Sequence, residues 1–251
     1  MKYCEIFVKS ALVRSKLEYT DFALNPYRGC EHQCVYCYSP YVMHLPLEEW
    51  RNKVYIKVNL PTVLNQEIRR KSGFISIGTV TDAYQPAEKK YEITRKSLEV
   101  LLKKNLPISI LTKSNLILRD IDLIKKFQEA HIGVTITTLD EELRKKMEPN
   151  AAPIDARFSV LDNFKSKAIT YAFIGPIIPQ YTTDYLEDII RKLAKLKVKY
   201  VIFDRFRWKK DMQLPKYLES KLDKIEISQM DIKVRAAYLS RKYGLRYSIL
   251  W

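Results

Sequence analysis

Cys30, Cys34 and Cys37 stand in the stretch "GCEHQCVYCYSP" (29–40) at the spacing C-x3-C-x2-C. Three soft ligands in eight positions call for a soft metal. Two centres compete for them. A structural zinc ion takes four nitrogen or sulfur ligands in a tetrahedron, and His32 and His44 are close enough in sequence to supply the fourth. Zinc ligands usually come as two separated knuckles, however. Here the cysteines are crowded, and His32 lies inside the first gap. A cubane iron–sulfur cluster has ~4 irons, each wanting a thiolate. Three cysteines leave one iron open to a substrate or cofactor, as an open position separates catalytic from structural zinc. The spacing favours the cluster, with zinc as the alternative. The one other cysteine, Cys4, reads as a small buried residue, and four cysteines are too few for a disulfide framework.

The elements that position this loop read as a βα repeat. Short apolar runs at 74–80, 107–113, 133–138, 168–175 and 200–204 predict strands, with a first strand near "DFALNP" (21–26). Helical patterns over 92–105, 119–130 and 184–197 separate them, with Leu186, Ile189, Ile190, Leu193 and Leu196 at helical spacing in the last. Asp120 is read as the N-cap of the second, and Thr138 with Glu141 as a capping box ahead of "LDEELRKKME". Six such units predict an α/β fold, a partial (β/α)6 barrel of TIM type, with a doubly wound open sheet as the alternative. Residues 1–20 read as a strand-like extension, 21–204 as the barrel, and 205–251 as an extension packing on it, with helices at 216–222 and about 228–243 and a terminal strand "RYSIL". The cysteines follow the first strand, at the end of the sheet where chemistry gathers in parallel βα folds.

The chain of 251 residues carries 44 Lys+Arg against 29 Asp+Glu, a formal charge of +15. Such an excess suits phosphate-rich partners, and equally a lysine-rich solvated surface. The segment "DRFRWKK" (204–210) interleaves Arg205, Arg207, Lys209 and Lys210 with Phe206 and Trp208. Cations for phosphates and aromatic faces for bases make a platform for a single strand or a flipped base; the alternative is a barrel-edge loop. Tyr27 and Arg28 suit either role. Lys192, Lys195 and Lys197 read as solvated helix faces. No apolar run reaches the ~18 residues of a membrane span, and the start has no signal-peptide core. The expected location is the cytoplasm.

With Tyr36 just before the third cysteine, the loop resembles that of the radical S-adenosylmethionine (SAM) superfamily. "NPYRGCEHQCVYCYSPY", "GTVTDAYQPAEKKYEITRKSLEVL", "ILTKSNLILRDIDLI", "TITTLDEELRKKMEPNAAP" and "FIGPIIP", in that order, resemble the branch grouped with spore photoproduct lyase. The resemblance implies that Cys30, Cys34 and Cys37 hold a [4Fe–4S] cluster. S-adenosyl-L-methionine then chelates the fourth iron and is cleaved reductively to a 5′-deoxyadenosyl radical that abstracts a hydrogen atom from substrate. It places Tyr36 beside the adenine. Gly78, Thr79 and Asp82 are candidates for the methionine amino group, Lys113 for its carboxylate, and Thr135 or Thr137 for the ribose. A reductant such as ferredoxin or flavodoxin is implied.

Two features depart from the branch. Gln180 follows "GPIIP" where a glycine is usual. A cysteine that would return a hydrogen atom is lacking near the site, because only Cys4 remains. The thymine-dimer reaction is therefore not carried over, and Tyr84 or Tyr91 is the candidate hydrogen relay. The expected function is a radical SAM enzyme acting on DNA, RNA or a nucleotide-like substrate, with a lyase-like or modification activity. The alternatives are a peptide or small metabolite as substrate, or a non-catalytic zinc-bound module that binds nucleic acid.

Overall fold

The computed structural model describes residues 1–17, 19–209, 212, 216 and 225–251. Two sheets organise the chain. The larger runs in the order β11-β10-β9-β8-β7-β6-β3-β2. Its heart is β3 (Phe22–Leu24), β6 (Ile75–Ile77), β7 (Ile108–Thr112), β8 (Ala130–Thr135), β9 (Ile169–Ile177) and β10 (Tyr200–Arg205), all parallel and in chain order. Each strand therefore lies beside its predecessor, so the sheet winds in one direction. A doubly wound sheet would reverse its strand order. β11 (Arg246–Ile249) adds to β10 in parallel, and β2 (Leu12–Arg14) adds antiparallel to β3.

The apolar runs form strands because one side of each is sealed by helices. Ile108, Ile110, Ile132, Val134, Ala172, Ile174, Val201 and Phe203 are fully buried there. The opposite side is aromatic and polar. Tyr171 stacks on Tyr200 with ring centroids 4.9 Å apart, and its hydroxyl meets Ser109 Oγ at 3.0 Å. His131 Nδ1 lies 2.9 Å from the Tyr200 hydroxyl. Gly133 makes this possible: a Cβ there would stand 2.2 Å from the Tyr171 ring.

The smaller sheet, absent from the sequence reading, runs β1-β5-β4. It is built from β1 (Lys2–Ile6), β4 (Tyr27–Arg28) and β5 (Lys53–Lys57). β5 pairs with β1 in parallel and with β4 antiparallel. Its alternation buries Val54 and Ile56 beside Tyr27 and leaves Lys53, Tyr55 and Lys57 on the other face.

Several local expectations are corrected. Residues 119–130 form no single helix. A 3₁₀ segment spans Asn115–Asp120, a short helix Ile121–Ile124, and the chain has entered β8 by Ala130. Asp120 does not cap that helix with its side chain, because its carboxylate is taken by Arg95 and Arg119. The helix Glu141–Met147 is capped by Asp140, which accepts from the amides of Glu142 and Leu143. Thr138 instead accepts from the Asp140 amide, so the capping box is not formed. The C-terminal helix spans Ile225–Lys242. The helix expected at 216–222 lies outside the described residues. Among the described residues, no helix is long and apolar enough to cross a membrane.

Candidate active site

Gly29 opens the cysteine loop at φ +101°, and a Cβ there would stand 2.6 Å from the Lys53 carbonyl. Only glycine lets the loop lean on β5 at this point. Bonds from distant segments then strap the loop down. Glu31 takes the Tyr3 hydroxyl at 2.6 Å and the Ala87 amide at 2.6 Å, and its own amide donates to Gln85. Asn150 donates to the Glu31 carbonyl, and the Val35 amide to the Met147 carbonyl. Gln33, at φ 53°, donates to the Cys30 and Trp50 carbonyls.

Cys30 is buried, and Cys34 and Cys37 are half-buried. The loop has two sides. Cys30 packs with Leu45 and Trp50, and Cys37 and Met43 lie against that group. Cys34 and Val35 lie against a second group of Tyr36, Met147, Ile178, Tyr181, Phe206 and Met212. Burial, reinforced by Asp82 and the other two thiols, holds the Cys30 thiol well above its ordinary range. Burial likewise pushes Cys34 up to about 12, against the pull of Lys113. A metal bound there would have to displace the protons of Cys30 and Cys34.

The donor set suits a cluster. Three thiols share one loop, close enough that ionising one disfavours ionising the next. A cubane takes one thiolate per iron, so three thiols leave its fourth iron open. His32, the nearest candidate for a fourth zinc ligand, has Nδ1 3.2 Å from Asp82 Oδ2.

Asp82 ties the loop to the strand ends. Besides His32 it accepts from the Tyr84 amide (2.8 Å), Thr112 Oγ1 (2.7 Å) and the Lys113 amide (2.8 Å). Burial opposes its charge, but His32 and these donors hold it well below the usual carboxylate range. Gly78, at φ +84°, turns the chain ahead of it, where a Cβ would stand 3.0 Å from the Thr81 carbonyl. Thr79 bonds Asn25, and its carbonyl accepts the Tyr38 hydroxyl.

The ends of β7 and β8 bring Lys113, Thr135 and Thr137 together with Tyr36 around two residues that the sequence reading missed. Glu148, fully buried, accepts from the Tyr36 hydroxyl and from Thr137 Oγ1 (2.9 Å). Arg157, 1% exposed, pairs with it at 2.5 Å and donates to the Thr135 and Ala152 carbonyls. Lys113 Nζ lies 5.7 Å from the Tyr36 ring centroid. Burial would raise the Glu148 carboxyl, but Arg157, Lys113 and the Tyr36 bond bring it down to about 2. Burial works against the Lys113 charge too, yet Cys34 and Glu148 keep its ammonium above the ordinary value. The signal for Arg157 was its position: it shares the apolar stripe Ile154, Phe158, Leu161 of the helix Ile154–Phe164.

Tyr84 and Tyr91 fall elsewhere. Tyr84 is fully buried, and its hydroxyl lies 3.1 Å from Asp120 Oδ2, within a network of Arg95, Arg119 and Glu88. Tyr91 packs edge-on against Tyr3 at 5.8 Å. Both hydroxyls are thus held in packing positions, and the Tyr84 amide donates to Asp82.

At the rim, Arg207 is held by Asp204 (2.8 Å) and the Leu250 carbonyl, so it is not a free cation. Arg205 ends β10, and its amide donates to Asp204. Trp208 is 46% exposed and sits edge-on to Phe206, which is buried in the group that includes Tyr36. Lys209 is half-buried beside it, and Lys210 lies outside the described residues.

A one-way parallel sheet carrying three thiols after its first core strand defines a radical SAM protein. The chain belongs to the radical SAM superfamily, whose family model matches residues 24–193. It is 34% identical over 218 residues to the uncharacterized protein MJ0683 of Methanocaldococcus jannaschii, covering 86% of this chain and 82% of that protein. It is 23% identical over 186 residues to the radical SAM Nalpha-GlyT isomerase of Pseudomonas phage M6, covering 70% of this chain and 38% of that one. Among solved structures, spore photoproduct lyase complexed with dinucleoside spore photoproduct superposes with a TM-score of 0.75 at 11% identity, over 99% of this chain and 82% of that chain. Streptococcus suis SuiB bound to S-adenosylmethionine gives 0.57 at 14% identity, over 91% and 47%. At such identities the likeness is one of fold. Superfamily membership implies a [4Fe–4S] cluster, S-adenosylmethionine and a reductant.

Proposed function

We propose that this chain is a cytoplasmic radical SAM enzyme on a partial (β/α)6 barrel, residues 21–204, and that its substrate is nucleic acid or nucleotide-like. One observation carries the reading: three thiols, none of them in a disulfide, stand in one strapped loop, with the half-buried Lys113 close enough to Cys34 for its charge to act on that thiol, at the ends of the parallel strands. Cys30, Cys34 and Cys37 would hold the cluster, and Tyr36, Gly78, Thr79, Asp82, Lys113, Thr135 and Thr137 would line the SAM site. When bound, the pair supplies reductive cleavage of SAM to a 5′-deoxyadenosyl radical that abstracts a hydrogen atom. The chain's own part is placement and exclusion of water. Asp82 fixes the cysteine loop and presents the Lys113 backbone. Glu148 and Arg157 orient Tyr36, Thr137 and the Thr135 carbonyl. The exposed face of Trp208, beside Lys209, supports a base-stacking platform at the rim. The solved neighbour bound to a dinucleoside spore photoproduct supports the same substrate class.

The test is anaerobic. The protein is reconstituted with iron and sulfide, and 5′-deoxyadenosine is assayed after dithionite and SAM are added. About four irons per chain and 5′-deoxyadenosine, both lost in Cys34→Ala, are expected. A colourless protein with one tight zinc and no SAM cleavage would overturn the reading. Trp208→Ala is expected to weaken oligonucleotide binding roughly fivefold to a hundredfold, the range of one base stack. Unchanged binding would move the substrate toward a peptide or small metabolite.

A further inference from the structure

The small sheet carries a cationic face that the proposed reaction leaves unused. Strand alternation and register put Lys53, Tyr55 and Lys57 of β5 on one side with Lys2 of β1 and Arg28 of β4. Lys2 is opposite Lys53, and Arg28 is opposite Tyr55. Arg28 Nε is buried without a hydrogen-bond partner, and its Nη2 reaches only the Met43 carbonyl, at 3.5 Å. Burial, with the Arg28 guanidinium pressing from the same side, lowers the Lys57 ammonium to about 8. Glu49 is the carboxylate on this face, and it is bonded by the Tyr55 hydroxyl. Arg28 and Lys57 lie close enough for their charges to repel, so an anion would complete this face.

The position of the face narrows the anion. Arg28 lies two residues before Cys30. Gly29 leans on the Lys53 carbonyl, and the Met43 carbonyl above Arg28 belongs to the apolar group that encloses Cys30. The face therefore backs the Cys30–Leu45–Trp50 side of the loop. Lys113, Glu148 and the substrate platform lie toward the Cys34 side, where Tyr36 and Phe206 pack. A nucleic acid in the mouth would meet that second side. An electron donor has to reach the same loop without crossing the mouth. We propose that the Lys2–Arg28–Lys53–Lys57 face docks the one-electron donor, an acidic protein of flavodoxin type. This inference rests on the radical SAM reading. In the docked pair, a flavin hydroquinone would give up one electron and become a semiquinone, and a cluster held by Cys30, Cys34 and Cys37 would be the acceptor of that electron.

The test uses the full chain with purified flavodoxin. Binding is followed by flavin fluorescence at low and high salt, and the same proteins are then assayed for 5′-deoxyadenosine with dithionite or with reduced flavodoxin. The K53E/K57E variant is expected to bind flavodoxin at least tenfold more weakly. It should lose a similar factor of flavodoxin-driven turnover, with dithionite-driven turnover within twofold of wild type. Lys2→Glu, at an exposed position, serves as a second variant that leaves the fold alone and should show the same selective loss at smaller size. Flavodoxin binding and flavodoxin-driven turnover unchanged in both variants would overturn the docking face. So would oligonucleotide binding that falls while flavodoxin binding holds, since the face would then belong to nucleic acid. A wild type that fails to cleave SAM even with dithionite would instead overturn the radical reading and this inference with it.

Discussion

Asp82 Oδ2 lies 3.2 Å from His32 Nδ1, so a contact buried inside the protein fastens the loop that carries the cysteines to the turn after β6. The same carboxylate accepts the Lys113 amide. One side chain thus sets both the cysteine loop and the strand end that presents the half-buried Lys113. Asp82→Asn removes the charge and turns an amide donor toward the Lys113 N–H. Leaving that donor unsatisfied costs about 1–3 kcal/mol. The expected result is a lower unfolding midpoint, with iron retained after reconstitution at half or less of the wild-type level. Unchanged iron and midpoint would show that the pair does not hold the loop.

Glu148 makes the stability of the metal-free protein depend on acid. Its carboxyl is held at about 2, below the ~4.3 of an unfolded glutamate. A group depressed in this way stabilises the fold above the unfolded value, and the contribution fades as pH falls from ~4.3 through about 2. Glu148→Gln leaves Arg157 buried without its partner, a loss of about 3–5 kcal/mol at pH 7. Urea unfolding at pH 7, 5 and 3 should show the gap between wild type and variant closing toward acid. A gap that does not change with pH would mean that the carboxylate is not charged in the fold.

Tyr84→Phe separates a hydrogen relay from a structural hydroxyl. The hydroxyl meets buried Asp120, so its removal should lower stability by about 1–2 kcal/mol. The rate of 5′-deoxyadenosine formation should stay within twofold. Tyr91→Phe should change neither. Lost substrate turnover with normal unfolding in either variant would restore the relay role.

Gly133→Ala tests the packing on the inner side of the sheet. The new methyl would stand 2.2 Å from the Tyr171 ring, so the ring must leave its stack on Tyr200. Overpacking of this kind costs about 1–3 kcal/mol. A lower melting temperature is expected, and an unchanged one would mean that the ring moves freely.

What the sequence disclosed depended on how far a residue's type betrays its surroundings. The βα repeat was legible because Ile, Val and Leu runs have few uses other than strands sealed on one side. The cysteine loop stood out because three thiols at that spacing suit a soft metal. β5 was missed because "KVYIK" alternates lysine with apolar residues and resembles a solvated segment until its partners, β1 and β4, are known. Glu148 and Arg157 were missed because charged residues are expected at the surface. Only their pairing across the fold makes burial tolerable. Thr138 and Asp140 compete for one cap, and Asp140 reaches two amides where Thr138 reaches one.

The small sheet also bears on the order in which the chain is made. β1 pairs with β5, and β5 with β4, so every strand of the scaffold around the cysteine loop has emerged from the ribosome once residue 57 has. Asp82, Lys113, Glu148 and Arg157, which line the loop from inside, are synthesised later. Tyr27, Val54 and Ile56 of the small sheet share one core with Ile77 and Leu98, and a domain folds as a unit. The outer wall of the loop therefore takes its final form only when the later-made segments that cover it are in place.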